Sequence, residues 1–306
     1  MPIRTDLLIP FAVLFLFLSH PPAWALERSV LQRGELTVEF DEAARPVAAE
    51  LAEEYPVALR ELERTFGWEV GFGGGVKVLL YDEEDFRRLA GAGPIVAFAR
   101  SRDSLIVMGL LRAERDAVPL RSIFKHELVH LYLGRVVGEG NLPRWLNEGV
   151  AQWASGGVSE LLSVGRSTEL DKAAVSGRLI PLEALEEVFP RDGRGLTLAY
   201  EESLSFVNYL VARHGVKGLV AVLGRLRHGD TVQEAMEGAL GIGLEEMQGR
   251  WTARLRRENT LLTYLGENFY TLLFVLAALA TVYGFARVVA RARRYRDEDE
   301  DGGGAD

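Results

Sequence analysis

The chain has 306 residues, 48% of them hydrophobic and 26% charged, which places it among globular proteins and outside the disordered class. Its 44 acidic and 35 basic residues leave a formal net charge of -9, so a chain-wide basic footprint is excluded and no nucleic-acid partner is expected. The absence of cysteine removes disulfide frameworks, thiol nucleophiles and thiolate metal sites together, and leaves His, Asp and Glu to hold any metal.

In chain order, residues 1–25 carry Arg4, an apolar stretch from Leu7 to Leu18 and the small-residue pattern Ala23-Trp24-Ala25, the layout of a cleavable secretory signal. Twelve apolar residues reach only ~18 Å as a helix against a hydrocarbon core of ~30 Å, so cleavage after Ala25 is preferred to an uncleaved anchor. The alternation LTVEF from Leu36 predicts a strand, and a helical stretch follows from Pro46 to Phe66, kinked or divided at Pro56. Gly71-Phe72-Gly73-Gly74-Gly75 lacks the Gly-Lys-Ser/Thr ending of a phosphate loop and reads as a flexible connection. The clearest strand is VKVLLY at 76–81; Asp82 then caps a short helix through Leu89, and further strands are expected at 96–99 and 104–108. Beyond Pro119 the period becomes helical, over 120–133, 143–154, 181–188, 198–214, 217–226, 231–240 and 244–257. The expected fold class is therefore α+β: a small mixed sheet with helices in residues 26–118, then a mainly helical lobe in 119–258.

After a linker at 259–268, the run from Phe269 to Ala286 holds eighteen residues without a charge and extends to Ala290 if Arg287 snorkels. This predicts one transmembrane helix over 269–290. Arg291, Arg293, Arg294 and Arg296 place the tail, 291–306, in the cytoplasm, so residues 26 to about 264 are expected to face the periplasm or cell surface.

The chemistry is concentrated at His126-Glu127-Leu128-Val129-His130. Residues four apart share one helical face, so His126 and His130 can present two imidazoles to a single ion, with Glu127 beside them as general base. A catalytic zinc wants three protein ligands and one open position. Glu148, in the helix opened by Pro143, supplies the third after a turn-rich connection. One Zn2+ per chain is expected. With two neutral imidazoles and one carboxylate its net charge stays near +1, which lowers the pKa of a bound water to ~7.

His126-Glu127-x-x-His130 followed by Trp145-Leu146-Asn147-Glu148-Gly149 resembles the gluzincin metallopeptidases. The likeness is closest to the small bacterial peptidase MA-like proteins, because it extends through VKVLLYDEEDF, GRLIPLEALEEVF, AYEESLSFVNYLVARHG and GLEEMQGRWTARL. The resemblance implies a zincin-like fold, zinc on His126, His130 and Glu148, Glu127 as general base, and Tyr200 as an extra donor to the oxyanion. Two features depart from the aminopeptidase-N-like branch: 17 residues separate His130 from Glu148, one fewer than is usual there, and no Gly-x-Met-x-Asn segment lies upstream. An endopeptidase acting on polypeptide is therefore expected, with substrate backbone paired to the strand at 96–99 or 104–108. Two other functions use the same residues: a non-catalytic zincin-fold domain that binds partners at the membrane surface, and a zinc amidase acting on cell-wall peptides.

Other conspicuous residues have structural readings. His214 and His228 each precede a glycine at a helix end, where an imidazolium complements the dipole. Trp145 and Trp153 are expected to pack their helix onto the core. Gln152 reads as an acceptor behind a ligand histidine or as a solvent-facing amide, and Glu50, Glu53 and Glu54 as a solvated face.

Overall fold

The computed structural model describes residues 28–91, 95–110, 120–157, 168–258 and 268–301. The segment 1–25 expected to be a secretory signal, most of the expected linker and the expected boundary between a sheet-containing and a helical lobe lie outside these residues.

Five strands, β1 (Ser29–Arg33), β2 (Leu36–Phe40), β3 (Val76–Tyr81), β4 (Ala97–Arg100) and β5 (Leu105–Gly109), form one mixed sheet in the order β1-β2-β3-β5-β4. The outer pairs β1–β2 and β4–β5 are antiparallel, and the inner pairs β2–β3 and β3–β5 are parallel. Alternation made β2 legible, since Leu36, Val38 and Phe40 are all at 0% exposure. The strand β1 is not anticipated by the sequence pattern. As an edge strand it buries no residue fully, so it leaves little periodic signal. By contrast β5 is buried along its whole length: Ile106 and Met108 face the main core, and Leu105 and Val107 pack with Phe86 on the opposite face.

Helices cover both faces. On the minor side lies α2 (Glu83–Ala90), N-capped by Asp82, whose side chain accepts from the Asp85 N–H. On the major side α1 (Arg45–Phe66) runs as one helix through Pro56. The expected division does not occur, because an interior proline costs about 3 kcal/mol while each large apolar side chain buried contributes about 1.5–3 kcal/mol. Here Leu51, Tyr55, Leu62 and Phe66 are buried on one stripe spanning the proline. The glycine-rich connection ahead of β3 is anchored by buried Val70 and Phe72, and is not a loose tether.

The remaining helices are α3 (Leu120–Val136), α4 (Arg144–Ala154), α5 (Thr168–Ser176), α6 (Gly193–Arg227), α7 (Val232–Leu240), α8 (Leu244–Glu258) and α9 (Phe269–Asp301). The short α5, with only Leu170, Ala173 and Ala174 buried, is also absent from the sequence reading. The helix expected at 181–188 is reduced to a 3-10 turn, Leu182–Leu185. Its backbone is engaged elsewhere: Leu182 N–H donates to Gln248 Oε1, and the Glu186 carbonyl accepts from the Arg144 N–H that opens α4. Within α6, Gly215 takes φ 69° and ψ 174° and divides it, as the gap between the expected helices at 198–214 and 217–226 anticipates.

Among the described residues two segments have the length and apolarity to cross a membrane, α6 and Phe269–Val289 of α9. They differ in surroundings. Ala199, Tyr200, Phe206, Leu219 and Leu223 bury α6 in the core, whereas Tyr270 (84% exposed), Phe274 (74%) and Phe285 (70%) leave α9 exposed.

Candidate metal centre

The helix α3 is buried on nearly every side, with Ile123, Phe124, Leu128, Val129, Leu131, Tyr132 and Leu133 in the core. It lies against α1, α4 and the edge strand β4. That packing carries the motif into the interior: His126 is 1% exposed, Glu127 0% and His130 7%. The helical repeat stacks the two rings with centroids 4.8 Å apart and planes at 81°, and their Nε2 atoms approach to 3.1 Å.

Glu148 reaches them from α4. Pro143 sits at its N-cap, with its carbonyl accepting from Leu146 and Asn147 N–H. Gly149 lets α4 lie directly against α6, since a Cβ there would stand 2.4 Å from the Ser203 carbonyl oxygen. Trp145 anchors the same contact edge-on to Phe206, which in turn meets Trp251. The carboxylate of Glu148 is thereby fixed with Oε2 at 3.7 Å from His126 Nε2 and 3.6 Å from His130 Nε2.

These three side chains fit a divalent cation. Ligands about 2.0–2.1 Å from a tetrahedral zinc lie roughly 3.4 Å from one another. The observed separations of 3.1, 3.6 and 3.7 Å bracket that value. Among the described residues no hydrogen bond is made to the buried Glu148 Oε2, which is costly for a carboxylate oxygen unless a cation meets it. Burial opposes the charged form of Glu148, but His130, His126 and Arg144 outweigh burial and hold its carboxyl below the ordinary value. Among the described residues this is the one group of three or more His, Asp or Glu whose ligand atoms converge, all within 4.8 Å.

Asn147, which no pattern in the sequence singles out, fixes one candidate ligand. His130 Nδ1–H donates to Asn147 Oδ1 at 2.9 Å, which leaves the Nε2 lone pair toward Glu148 and His126. Its position directly before Glu148 was the available signal. Gln152 is neither of the things expected of it. It is buried, and its Nε2 donates to the carbonyls of Tyr200 at 3.0 Å and Glu148 at 3.3 Å, tying α4 to α6. Tyr200 itself is 2% exposed, its ring edge-on to Phe189 at 5.2 Å. Trp153 lies against Phe66, and His228 Nδ1–H donates to the Gly224 carbonyl at its helix end.

Comparison with curated proteins finds no match. The family model described as Peptidase MA superfamily matches residues 92–257, more than half of the chain, from just ahead of β4 to the end of α8 and including all four motif residues. The chain thus carries a metallopeptidase-like domain and belongs to the Peptidase MA superfamily.

Proposed function

We propose that the protein is a membrane-anchored, extracytoplasmic zinc endopeptidase, with one zinc per chain held by His126, His130 and Glu148 and with Glu127 as general base. The observation that carries this reading is the convergence of three ligand atoms from two helices beside a fully buried glutamate. Zinc, when bound, supplies a Lewis acid for the peptide carbonyl and lowers the pKa of a water molecule. Glu127 takes the proton of the attacking water and delivers it to the departing amine nitrogen. Tyr200 is assigned a donor role toward the oxyanion, supported by its place on α6, joined to α4 through Gln152.

Substrate backbone is assigned to β4, which ends the sheet. Phe98, Ala99 and Ser101, in or next to β4, share a cavity of about 240 Å³ with His130 and Glu148. β5 has partners on both sides and offers no edge. Strand addition uses main-chain hydrogen bonds, so extended segments are the favoured substrate. Anchoring is assigned to α9, whose apolar residues 269–289 are not buried among the described residues and precede Arg291, Arg293, Arg294 and Arg296.

The test uses the full chain in detergent. Elemental analysis is expected to find about one zinc per chain, lost in His130→Ala. Glu127→Gln is expected to keep the metal while peptide hydrolysis falls by about 10²–10⁴. Tyr200→Phe should keep zinc and lower kcat by about 10². N-acetylated peptides should be cleaved about as well as free ones. Zinc-loaded Glu127→Gln with wild-type activity would remove Glu127 as the base, and loss of turnover on acetylation would replace the endopeptidase with an exopeptidase.

A further inference from the structure

The chain is acidic as a whole, with a formal net charge of -9, yet α8 ends in the arginine-rich run RWTARLRRE at 250–258. Two of these arginines are matched, Arg250 by Glu246 at 2.6 Å and Arg254 by Glu258 at 2.7 Å. Arg256 and Arg257 are exposed, as are Arg178 just after α5 and Arg213 on α6, and among the described residues none of these four pairs with a carboxylate. They belong to one surface. Arg213 and Arg254 each hold a guanidinium 5.8 Å from the Tyr209 ring. Arg256 Nη2 stands 3.6 Å from the point that a Cβ on Gly177, the residue before Arg178, would occupy.

Beside these arginines a hollow of about 330 Å³ opens between α5, α6 and α8. Its floor is apolar, with Leu170, Tyr209, Trp251 and Leu255 all buried, and Arg254 lies in its lining. Glu201 lines it too, but its Oε2 already accepts from the Leu170 N–H at 2.7 Å. An apolar floor beside cationic side chains matches the interfacial layer of a bilayer, where phosphates lie over hydrocarbon.

A second, independent observation points to the same partner. Only residues 259–268 separate Glu258 from Phe269, the first residue of the exposed apolar α9. Fully extended they reach about 35 Å, so with α9 in a bilayer the arginine-rich end of α8 stays close to the headgroups. The other end of α8 lies at the metal centre, because Leu244, its first residue, shares with Glu148 the lining of a groove of about 870 Å³. The rise of a helix separates Leu244 from Glu258 by about 21 Å. An anionic surface repels a net acidic molecule, so a basic end decides which side turns toward it.

We propose that the surface carrying Arg178, Arg213, Arg256 and Arg257 docks on anionic phospholipid headgroups and holds the metal groove clear of the bilayer at the far end of α8. The inference rests on the anchoring reading and adds an orientation to it, in which polypeptide segments standing off the membrane are the ones reached.

The experiment uses the full chain reconstituted into vesicles of phosphatidylcholine alone or mixed equally with phosphatidylglycerol. The chain has no cysteine, so Ala253→Cys beside Arg254 and Glu187→Cys on the groove each provide one position for a fluorophore. Energy transfer to a headgroup dye is expected to be stronger from position 253 than from 187 in the anionic vesicles. The difference should shrink in the neutral vesicles, and when salt is raised from about 20 mM to about 300 mM. Each arginine near an anionic surface favours docking by about fivefold. Arg178→Gln, Arg213→Gln, Arg256→Gln and Arg257→Gln together should therefore make transfer in the two vesicle types the same, with zinc content and Tm unchanged. Transfer that ignores lipid charge in the wild type, or that survives the four substitutions, would overturn the docking surface. Alkaline carbonate tests the anchor separately. Release of the chain would overturn the span alone, and flotation of that chain with anionic but not neutral vesicles would still uphold the docking surface, whereas flotation with neither would overturn it.

Discussion

The His130 ring is engaged at both nitrogens, Nδ1–H on Asn147 and Nε2 facing His126 and Glu148. A ligand histidine whose second nitrogen loses its partner can rotate and change tautomer, which costs about 10–100-fold in metal affinity. Asn147→Ala should show that loss in a competition with a zinc chelator, while Asn147→Asp, which keeps an acceptor, should not; equal affinity in all three proteins would leave Asn147 without this role. Glu202 is a second buried side chain that the chain's pattern did not single out. It is 0% exposed, its Oε1 accepts from Ile180 N–H at 2.9 Å, and its Oε2 has no hydrogen-bond partner among the described residues. Burial, only partly opposed by that N–H, pushes its carboxyl up to about 8. Its folded value thus exceeds its unfolded one, so the unfolded chain holds fewer protons between about pH 4.5 and 8, and stability falls as pH rises through that window. The slope from this group approaches about 1.4 kcal/mol per pH unit at mid-window. Thermal unfolding of Glu202→Gln should show a flatter decline in Tm between those limits than wild type, and parallel curves would contradict the buried neutral carboxyl.

The helix α4 shows how an element is placed by what it omits. With no side chain at Gly149, α4 lies against the backbone of α6 at Ser203, and Glu148, one residue earlier, is turned to α3. A methyl group there meets a main-chain oxygen that cannot rotate away, so Gly149→Ala should cost about 1–3 kcal/mol. Because the same shift moves Glu148, zinc affinity should fall together with Tm. A variant that loses stability yet binds zinc normally would mean that α4 adjusts without moving its carboxylate. Legibility at this scale followed burial. The helices α3 and α4 were visible because their apolar positions recur at helical spacing, whereas β1 and α5 bury too few residues to leave a pattern. The apolar spacing around Leu182–Leu185 is helical, but contacts with Gln248 and Arg144 override that spacing and hold a turn.

At the scale of the molecule, one continuous core joins the sheet, α1, α3, α4, α6, α7 and α8, while α9 stands outside it. A long helix exposing Tyr270, Phe274, Leu276, Val282 and Phe285 to water would leave a large apolar surface unburied, which a bilayer would cover. If the arginines after it remain in the cytoplasm, protease added outside spheroplasts should remove the domain and spare a small C-terminal fragment containing residues 291–306. Full protection of the domain would reverse the orientation.

The residues able to share one ion were legible in the sequence because their relation is mostly local. A four-residue step on a helix brings His126 and His130 together whatever surrounds them, and the motif around Glu148 names its own helix. The split of α6 at Gly215 was legible for the same reason. What only the tertiary structure decided depends on which distant segments meet. Gln152 reaches the Tyr200 carbonyl 48 residues away, and Glu202 reaches Ile180 across 22. The choice of β4 over β5 as the free edge follows from strand order, and the groove beside Glu148 from the approach of the turn before α6 to the start of α4. No periodicity encodes these meetings, because each is set by the packing of whole elements and not by the spacing of residues within one.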